Sequence, residues 1–139
     1  MKARNTRRLP RQGPLPRPRD PDEARQVLRA EAFVAPRVAR VRLEAMEFTS
    51  ICPKTGQPDF GRVVIEYEPR ARCLESKALK YYLWSFRDQG AFCESLAARI
   101  ADDVVYAIRP RRVTVEVHQN VRGGIALVAT AERRAGRAR

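Results

Sequence analysis

The spacing of the apolar residues changes twice along the chain, and these changes restrict the fold more than any other feature. Apolar and polar residues alternate over 39–45, 63–68 and 113–118, which predicts β-strands. Between the second and third of these segments, apolar residues recur at steps of three and four, which predicts amphipathic helices. The predicted order is therefore strand, strand, helix, helix, strand, strand (ββααββ).

Proline and glycine residues mark the limits of these elements. In chain order we expect a short loose helix over 22–32, strands over 36–48 and 61–68, helices over 75–90 and 91–110, and strands over 113–118 and 125–129. The fold class is α+β, with a four-stranded antiparallel sheet and both long helices on one of its faces. Its outer strands have open edges, so we expect identical chains to pair edge to edge in a ring.

Length and charge bound the domain organisation. The chain has 139 residues, of which 44% are hydrophobic, enough for one modest core. We assign 1–30 to a disordered basic tail rich in proline and arginine, 31–132 to the folded catalytic domain, and 133–139 to a second basic tail. Because much of the net charge of +12 lies in these tails, nucleic-acid binding is disfavoured, and weak attraction to RNA stays the alternative.

The sequence also narrows the compartment and the metal chemistry. It contains no apolar run long enough to span a bilayer, and its arginine-rich start lacks the hydrophobic part of a secretory signal, so we expect a cytoplasmic protein without a membrane partner. It has one histidine and no CxxC pair, so neither a disulfide framework nor a bound metal is expected. The three cysteines are Cys52, Cys73 and Cys93.

The segment between the first two strands carries a thiol and a carboxylate. It covers 47–60, which is more than a hairpin needs in order to turn. Cys52 precedes Pro53 there, a position that fits a nucleophile, and an ordinary buried thiol is the alternative. Asp59 lies close enough along the chain to exchange a proton with Cys52, whereas capping of the turn beside Pro58 is its simpler role.

Charged residues near the helix starts are the other candidates. Lys77 and Lys80 are three residues apart on one helix and could bind phosphates. The alternative is a solvated helix start, where the helix dipole stabilises the negative charge of Glu75. Glu94 could accept hydrogen bonds from the ring N–H and exocyclic amine of a guanine-type base, or serve only the dipole of the second helix. Arg122 precedes two glycines and could bind an anion, or stand exposed.

Two of these segments closely resemble the NADPH-dependent 7-cyano-7-deazaguanine reductases of queuosine biosynthesis. They are 48–60 (FTSICPKTGQPDF) and 75–82 (ESKALKYY), and the resemblance spans about 47–125. It continues through Ser85, Phe86, Arg87, Gly90, Phe92, Glu94 and 122–125. The resemblance implies the tunnelling fold, in which subunits form rings and two rings stack, here as a decamer with active sites between subunits.

The resemblance also implies a role for each matched residue. Cys52 attacks the nitrile carbon of the substrate and forms a thioimide, and Asp59 handles the proton. NADPH then reduces the thioimide and the imine that follows, giving 7-aminomethyl-7-deazaguanine. The implied substrate-binding residues are Glu94, Phe92 and Cys93, and the implied cofactor-binding residues are Glu75, Ser76, Lys77, Lys80 and Arg122.

Two departures from the family pattern and three other functions bear on this interpretation. Cys93 stands where the family usually has histidine, and Val121 where it usually has proline. The alternative function is an amidine-forming transferase that acts on the same nitrile in tRNA, through the same thioimide but without NADPH. The retained segment 75–80 argues against it. A zinc-dependent cyclohydrolase lacks its metal ligands here, and an RNA-binding module would leave Cys52 unexplained.

Overall fold

Four long antiparallel strands form the main sheet of this computed structural model, which describes residues 16–136. The strand order is β2-β3-β5-β6, and two short strands, β1 and β4, pair separately. The strands are β1 (Phe33–Val34), β2 (Val41–Ile51), β3 (Pro58–Glu68), β4 (Arg72–Cys73), β5 (Arg112–Arg122) and β6 (Ile125–Arg134). The helices are α1 (Pro21–Ala30), α2 (Ser76–Trp84) and α3 (Cys93–Ile108). The predicted ββααββ order is confirmed.

The core lies between one face of this sheet and the helices. Helix α3 packs on β5 and β6, and α2 packs on β2. The residues predicted to face inward on the central strands are buried against the helices, and Val64 on the opposite face of β3 is buried as well. These inward residues are Val63, Ile65 and Tyr67 on β3, and Val113, Val115 and Val117 on β5. Within 16–136, no helix is long and apolar enough to cross a membrane.

Helix α1 belongs to the folded domain, so the prediction of a disordered tail up to residue 30 is wrong for Pro21–Ala30. The Asp20 carboxylate accepts a hydrogen bond from Glu23 N (2.8 Å) and caps the helix. Ala24 and Leu28, one turn apart, are fully buried. The apolar stripe was too short to signal packing, because its buried members are only Pro21, Ala24 and Leu28. The rest of the predicted tail up to residue 15 lies outside the described residues.

The other end of the domain also extends further than predicted. Strand β6 continues through Arg133 and Arg134, so the assignment of 133–139 to a tail is wrong for these two residues. Arg133 Nε lies 2.8 Å from Asp102 Oδ1 on α3, which ties the strand to the helix. Residues 137–139 lie outside the part of the chain that the structure describes.

Strand β2 is longer than predicted because it contains a β-bulge. Its register with β3 shifts between Ala45 and Phe48, where β2 has one residue more than its partner. Before the bulge, Leu43 and Ala45 pack on the core; after it, Phe48 and Ser50 are buried instead. The predicted strand end at Phe48 and the long loop over 47–60 are therefore wrong, and the turn is only 52–57.

Candidate active site

The turn that joins β2 to β3 holds Cys52 in a closed conformation. Cys52 N donates to Gln57 O (2.8 Å), and Gly56 N donates to Cys52 O (2.9 Å). Gly56 has φ +70°, a conformation that glycine adopts at little cost. Gln57 N also donates to Thr55 Oγ1 (3.3 Å). These bonds fix the direction of the Cys52 thiol at the end of the strand.

The Cys52 thiol is more acidic than an ordinary cysteine. Its pKa is lowered from 9.0 to about 7, mainly by a hydrogen bond with the Thr55 side chain. Backbone hydrogen bonds from Thr55 and Lys54 and a hydrogen bond with Arg122 add to this effect. The residue is only 8% exposed, and this desolvation acts in the opposite direction. A thiol that is partly ionised at neutral pH is a good nucleophile, which favours the catalytic interpretation.

Asp59 and Arg122 meet beside this thiol. Asp59 pairs with Ser50 across β2 and β3, and it is 7% exposed. Arg122 Nη1 donates to Asp59 Oδ1 and forms an ion pair with it. Arg122 ends β5, and Gly123 (φ +56°) and Gly124 (φ +75°) turn the chain into β6. The structure therefore brings Cys52, Asp59 and Arg122 together.

Cys93 begins α3 close to the same carboxylate. Its Sγ donates to Val117 O (3.3 Å), and it lines a small cavity together with Asp59 and Ser50. The cavity volume is about 10 Å³, room for about one water. Burial raises the pKa of Cys93, and the nearby charges of Glu94 and Asp59 raise it further, so this thiol stays protonated at neutral pH.

The connection between α2 and α3 brings the start of α3 to the site. Ile51 N donates to Gln89 O (3.0 Å), and Ala91 N donates to Ile51 O (3.2 Å), so this connection lies along the end of β2. Two predicted substrate-binding residues follow directly. Phe92, the N-cap residue of α3, is 51% exposed, and Glu94 in the first turn is exposed as well.

The only histidine of the sequence, His118, is among the residues that line the small cavity, but its imidazole pairs with other groups. His118 alternates with the buried Val117 and lies on the outer face of the sheet. Its Nε2 lies 3.4 Å from Glu116 Oε1, and its Nδ1 lies 3.4 Å from Arg62 Nη2. No imidazole therefore replaces the histidine that the family usually has at the position of Cys93.

The predicted cofactor segment 75–80 lies at the other end of the sheet. Glu75 caps α2, because its carboxylate oxygens accept from Lys77 N (2.9 Å) and Ala78 N (2.8 Å). Leu74 N donates to Tyr67 Oη (2.9 Å), which places the start of α2 near the end of β3. Asp59 and Tyr67 are eight residues apart on β3, a distance of about 26 Å along an extended strand.

Ser76, Lys77 and Lys80 are exposed at this start of α2. A helix N-terminus with lysine side chains suits phosphate groups, so these residues fit the phosphates of a dinucleotide. Arg122, which was grouped with them, lies instead against Asp59. One chain therefore brings together Cys52, Asp59 and, of the predicted cofactor residues, Arg122, but it does not bring the residues of segment 75–80 to them.

Thr55 is the functional residue that the sequence analysis missed. Its position three residues after Cys52 in a turn was the available signal, because a turn of that length returns a hydroxyl toward its first residue. Residues 16–136 contain no group of three or more His, Cys, Asp or Glu side chains placed to hold a metal ion.

An acidic buried thiol and a carboxylate thus lie at one end of an antiparallel sheet that is backed by helices, which places the chain in the α+β class. The model of the QueF-like protein family matches residues 58–137. A solved structure, the archaeosine synthase QueF-Like in the apo form, matches with a TM-score of 0.66 and 29% identity, over 70% of this chain and 95% of that chain.

The curated relatives agree with this match. The NADPH-dependent 7-cyano-7-deazaguanine reductase of Nitrosomonas europaea is 46% identical over 111 residues, 80% of each chain. The protein of the same name from Anaeromyxobacter sp. (strain Fw109-5) is 52% identical over 99 residues, 69% of this chain and 81% of the relative. The chain therefore belongs to the QueF-like family, and its fold is the tunnelling fold.

Proposed function

We propose that this chain reduces the nitrile of 7-cyano-7-deazaguanine to 7-aminomethyl-7-deazaguanine, with NADPH as reductant and a thioimide on Cys52 as the covalent intermediate. The observation that carries the proposal is the acidic Cys52 thiol, with a pKa of about 7, held beside Asp59. The chain that carries this arrangement is 46% and 52% identical to two proteins named NADPH-dependent 7-cyano-7-deazaguanine reductase.

The thiolate of Cys52 attacks the nitrile carbon. A carbon–sulfur bond forms, one π bond of the nitrile breaks, and its electron pair on nitrogen takes up a proton to give the thioimide. We assign this proton to the Cys52 thiol: Asp59, on the neighbouring strand, accepts it as the thiolate forms and then delivers it to the nitrogen. Capture on Cys52 is useful because a protonated thioimide accepts hydride far better than a neutral nitrile does.

NADPH, when bound, supplies the two hydrides that convert the thioimide carbon to the aminomethyl group. Between the two reductions, the carbon–sulfur bond breaks and its electrons return to Cys52, so the thiolate is regenerated. The low pKa of Cys52 helps here too, because a stable thiolate is a good leaving group. The two hydrides supply all four electrons of the reduction, so no further electron carrier is needed. The small buried site excludes water and thereby limits hydrolysis of the imine.

Three residues at the start of α3 are assigned to the substrate. The exposed carboxylate of Glu94 can accept the ring N–H and the exocyclic amine of the deazaguanine at once. The exposed ring of Phe92 offers a flat apolar surface to the base. Cys93 lies beneath them, already bonded to Val117 O and protonated, so we assign proton transfer to Asp59 alone.

The cofactor assignment to Ser76, Lys77 and Lys80 requires a second copy of the chain. About 26 Å of strand separates the two ends of the site. The inner face between them is filled, because Val63 and Ile65 are each 1% exposed. Strands β2 and β6 are the edges of the main sheet, which supports edge pairing between copies. We propose a homo-oligomer of stacked rings, a decamer by resemblance, with sites between subunits.

The test of the activity is NADPH absorbance in the presence of 7-cyano-7-deazaguanine. We expect two NADPH consumed per amine formed, and none with Cys52→Ala. Cys73→Ala is the matched control, because Cys73 is a buried thiol in β4 outside the site, and it should keep the activity. If a covalent adduct forms on Cys52 while NADPH stays unused, the amidine-forming transferase is the better assignment, and nitrile-bearing tRNA with an amine donor is the next substrate to try.

The test of the shared site is subunit mixing. Cys52→Ala and the double variant Lys77→Ala/Lys80→Ala should each be inactive alone. After the two are unfolded and refolded together, a site built from two chains regains about a quarter of the wild-type activity, the chance that both contributing chains are intact at that site. Zero recovery would place the whole site, with an extended cofactor, on one chain.

A further inference from the structure

A buried serine lies next to the carboxylate to which proton transfer is assigned. Ser50 pairs with Asp59 across β2 and β3, and the β-bulge between Ala45 and Phe48 turns its side chain to the inner face of the sheet. Ser50 is 3% exposed, and within residues 16–136 its hydroxyl has no hydrogen-bond partner. Because buried hydroxyl groups are hydrogen-bonded in almost all proteins, this one requires a partner that the described chain does not supply.

The small cavity at the site provides room for that partner. Ser50, Asp59 and Cys93 line it, and its volume of about 10 Å³ admits about one water. It lies between the bulge in β2 and a second bulge between Gln119 and Arg122, where β5 has one residue more than β6. Bulges interrupt the regular pairing of strands, which accounts for a gap in a packed core. The serine hydroxyl and the carboxylate are the polar partners that a water needs there.

The other titratable groups that line the cavity are already engaged. Cys93 Sγ donates to Val117 O (3.3 Å), and burial raises the pKa of this thiol, so it stays protonated at neutral pH. The two ring nitrogens of His118 each lie 3.4 Å from another group, Nε2 from Glu116 and Nδ1 from Arg62. Neither side chain is therefore placed to pass protons to the carboxylate.

The proposed reaction requires Asp59 to regain protons. Two hydrides convert a nitrile to an amine only if two protons are taken up as well. The proton of the Cys52 thiol does not count toward them, because the thiolate that leaves is protonated again at the end of the cycle. Both protons therefore come from solvent, yet Asp59 is only 7% exposed.

We propose that Ser50 is a positioning residue, which holds one water against the Asp59 carboxylate so that Asp59 regains a proton after each transfer. This inference rests on the proposed function. Asp59 Oδ1 is paired with Arg122, so the water bonds to Oδ2. A proton from the solvent enters the water as another leaves it for the carboxylate, so the water itself is unchanged. Phe60, which also lines the cavity, is 55% exposed, so the cavity lies close to the solvent.

The first test is a high-resolution crystal structure of the full chain without substrate. We expect one water within about 3 Å of both Ser50 Oγ and an Asp59 carboxylate oxygen, and we expect Ser50→Ala to lose it. A wild-type cavity without water, or a water that does not contact Ser50, would overturn the proposal. This measurement uses neither NADPH nor nitrile, so its result does not depend on the reductase assay.

The second test separates kcat from KM in the NADPH assay. Ser50→Ala should lower kcat about tenfold, less than the loss of a general acid itself, and should leave both KM values within about twofold. Ser85→Ala is the matched control. Ser85 is also buried, at 2% exposed, but its hydroxyl donates to Tyr82 O (2.5 Å) outside the cavity, so its loss should leave kcat unchanged. Equal losses of kcat in the two variants would overturn the proposal.

A second background distinguishes proton supply from packing. Cys93→His places in the cavity an imidazole, which exchanges protons near neutral pH and takes the place of the water. In that background Ser50→Ala should lower kcat less than about twofold. If Ser50→Ala instead costs the same tenfold in both backgrounds, the serine acts through packing, and the proposal fails.

Discussion

The buried carboxylate of Asp103 joins all three helices, and its removal should destabilise the domain strongly. Asp103 on α3 is 1% exposed. Its Oδ2 accepts from Tyr82 Oη on α2 (2.5 Å) and from Arg99 Nε (2.7 Å), and its Oδ1 lies 3.6 Å from Arg25 Nη1 on α1. A single substitution, Asp103→Ala, breaks every one of these contacts.

The magnitude follows from what each partner loses. The Tyr82 hydroxyl is left in a fully buried residue, at a cost of about 1–3 kcal/mol. Arg25 and Arg99 each lose a charged partner, but their side chains are 36% exposed and water replaces part of the loss. Removal of the carboxylate also recovers the cost of its desolvation. We therefore expect Asp103→Ala to lower the free energy of unfolding by about 3 kcal/mol, and Tyr82→Phe by about 1.5 kcal/mol.

The neighbouring residue provides the matched control. Asp102 is on the same helix and also forms an ion pair with an arginine, Arg133 at 2.8 Å, but its side chain is 63% exposed. Asp102→Ala should therefore cost less than about 1 kcal/mol. Urea unfolding at one fixed protein concentration measures all three variants, because assembly makes stability depend on concentration. Equal losses for Asp102→Ala and Asp103→Ala would refute the argument that burial sets the cost.

Three further substitutions test the turn, the sheet and α1. Thr55→Val should raise the pKa of Cys52 from about 7 toward 9.0. A lowered pKa favours the thiolate at lower pH, so alkylation of Cys52 by iodoacetamide in the variant should be about tenfold slower than in the wild type at pH 7. Above pH 9 the two rates should converge. An unchanged pH profile would contradict the assigned hydrogen bond. Gly61→Ala places a Cβ against the backbone carbonyl oxygen of His118, so the strands must shift, and both the Tm and the activity should fall. An unchanged Tm would show that β3 and β5 absorb this shift at no cost. Leu28→Ala, at a fully buried position, should cost about 2–5 kcal/mol, and a loss below about 1 kcal/mol would show that α1 packs weakly.

Hydrophobic spacing was enough to predict the main elements, because the inward residues of the central strands obey it up to the bulge in β5. Val113, Val115 and Val117 face the core in turn, as their alternation indicates. The same spacing failed at Met46, where the bulge in β2 reverses the alternation. No glycine or proline marks that bulge in the sequence, so the end of the strand was placed too early. Packing of α1 was also missed, since Ala24 gives little hydrophobic signal.

The site residues were predictable only where they are near in sequence. Cys52 and Asp59 lie at the two ends of one short turn, so their proximity could be inferred. The contact between Asp59 and Arg122 depends on the register of three strands and on a bulge, neither of which a single sequence reveals. For the same reason the sequence did not indicate that Arg122 also pairs with Asp59.

The separation of the two halves of the site has a physical cause in the fold. Helix α2 has nine residues, so it covers about 14 Å, and it runs back from the Tyr67 end of β3 toward the Cys52 turn. Its N-terminus, the part that attracts phosphate, is thereby directed away from the thiol of the same chain. The packed core between the helices and the sheet fills the space between this N-terminus and the Cys52 thiol of the same chain. The proposal that the cofactor binds at this N-terminus therefore requires the Cys52 thiol of a second copy, and the open edges of β2 and β6 are the surfaces proposed for that pairing.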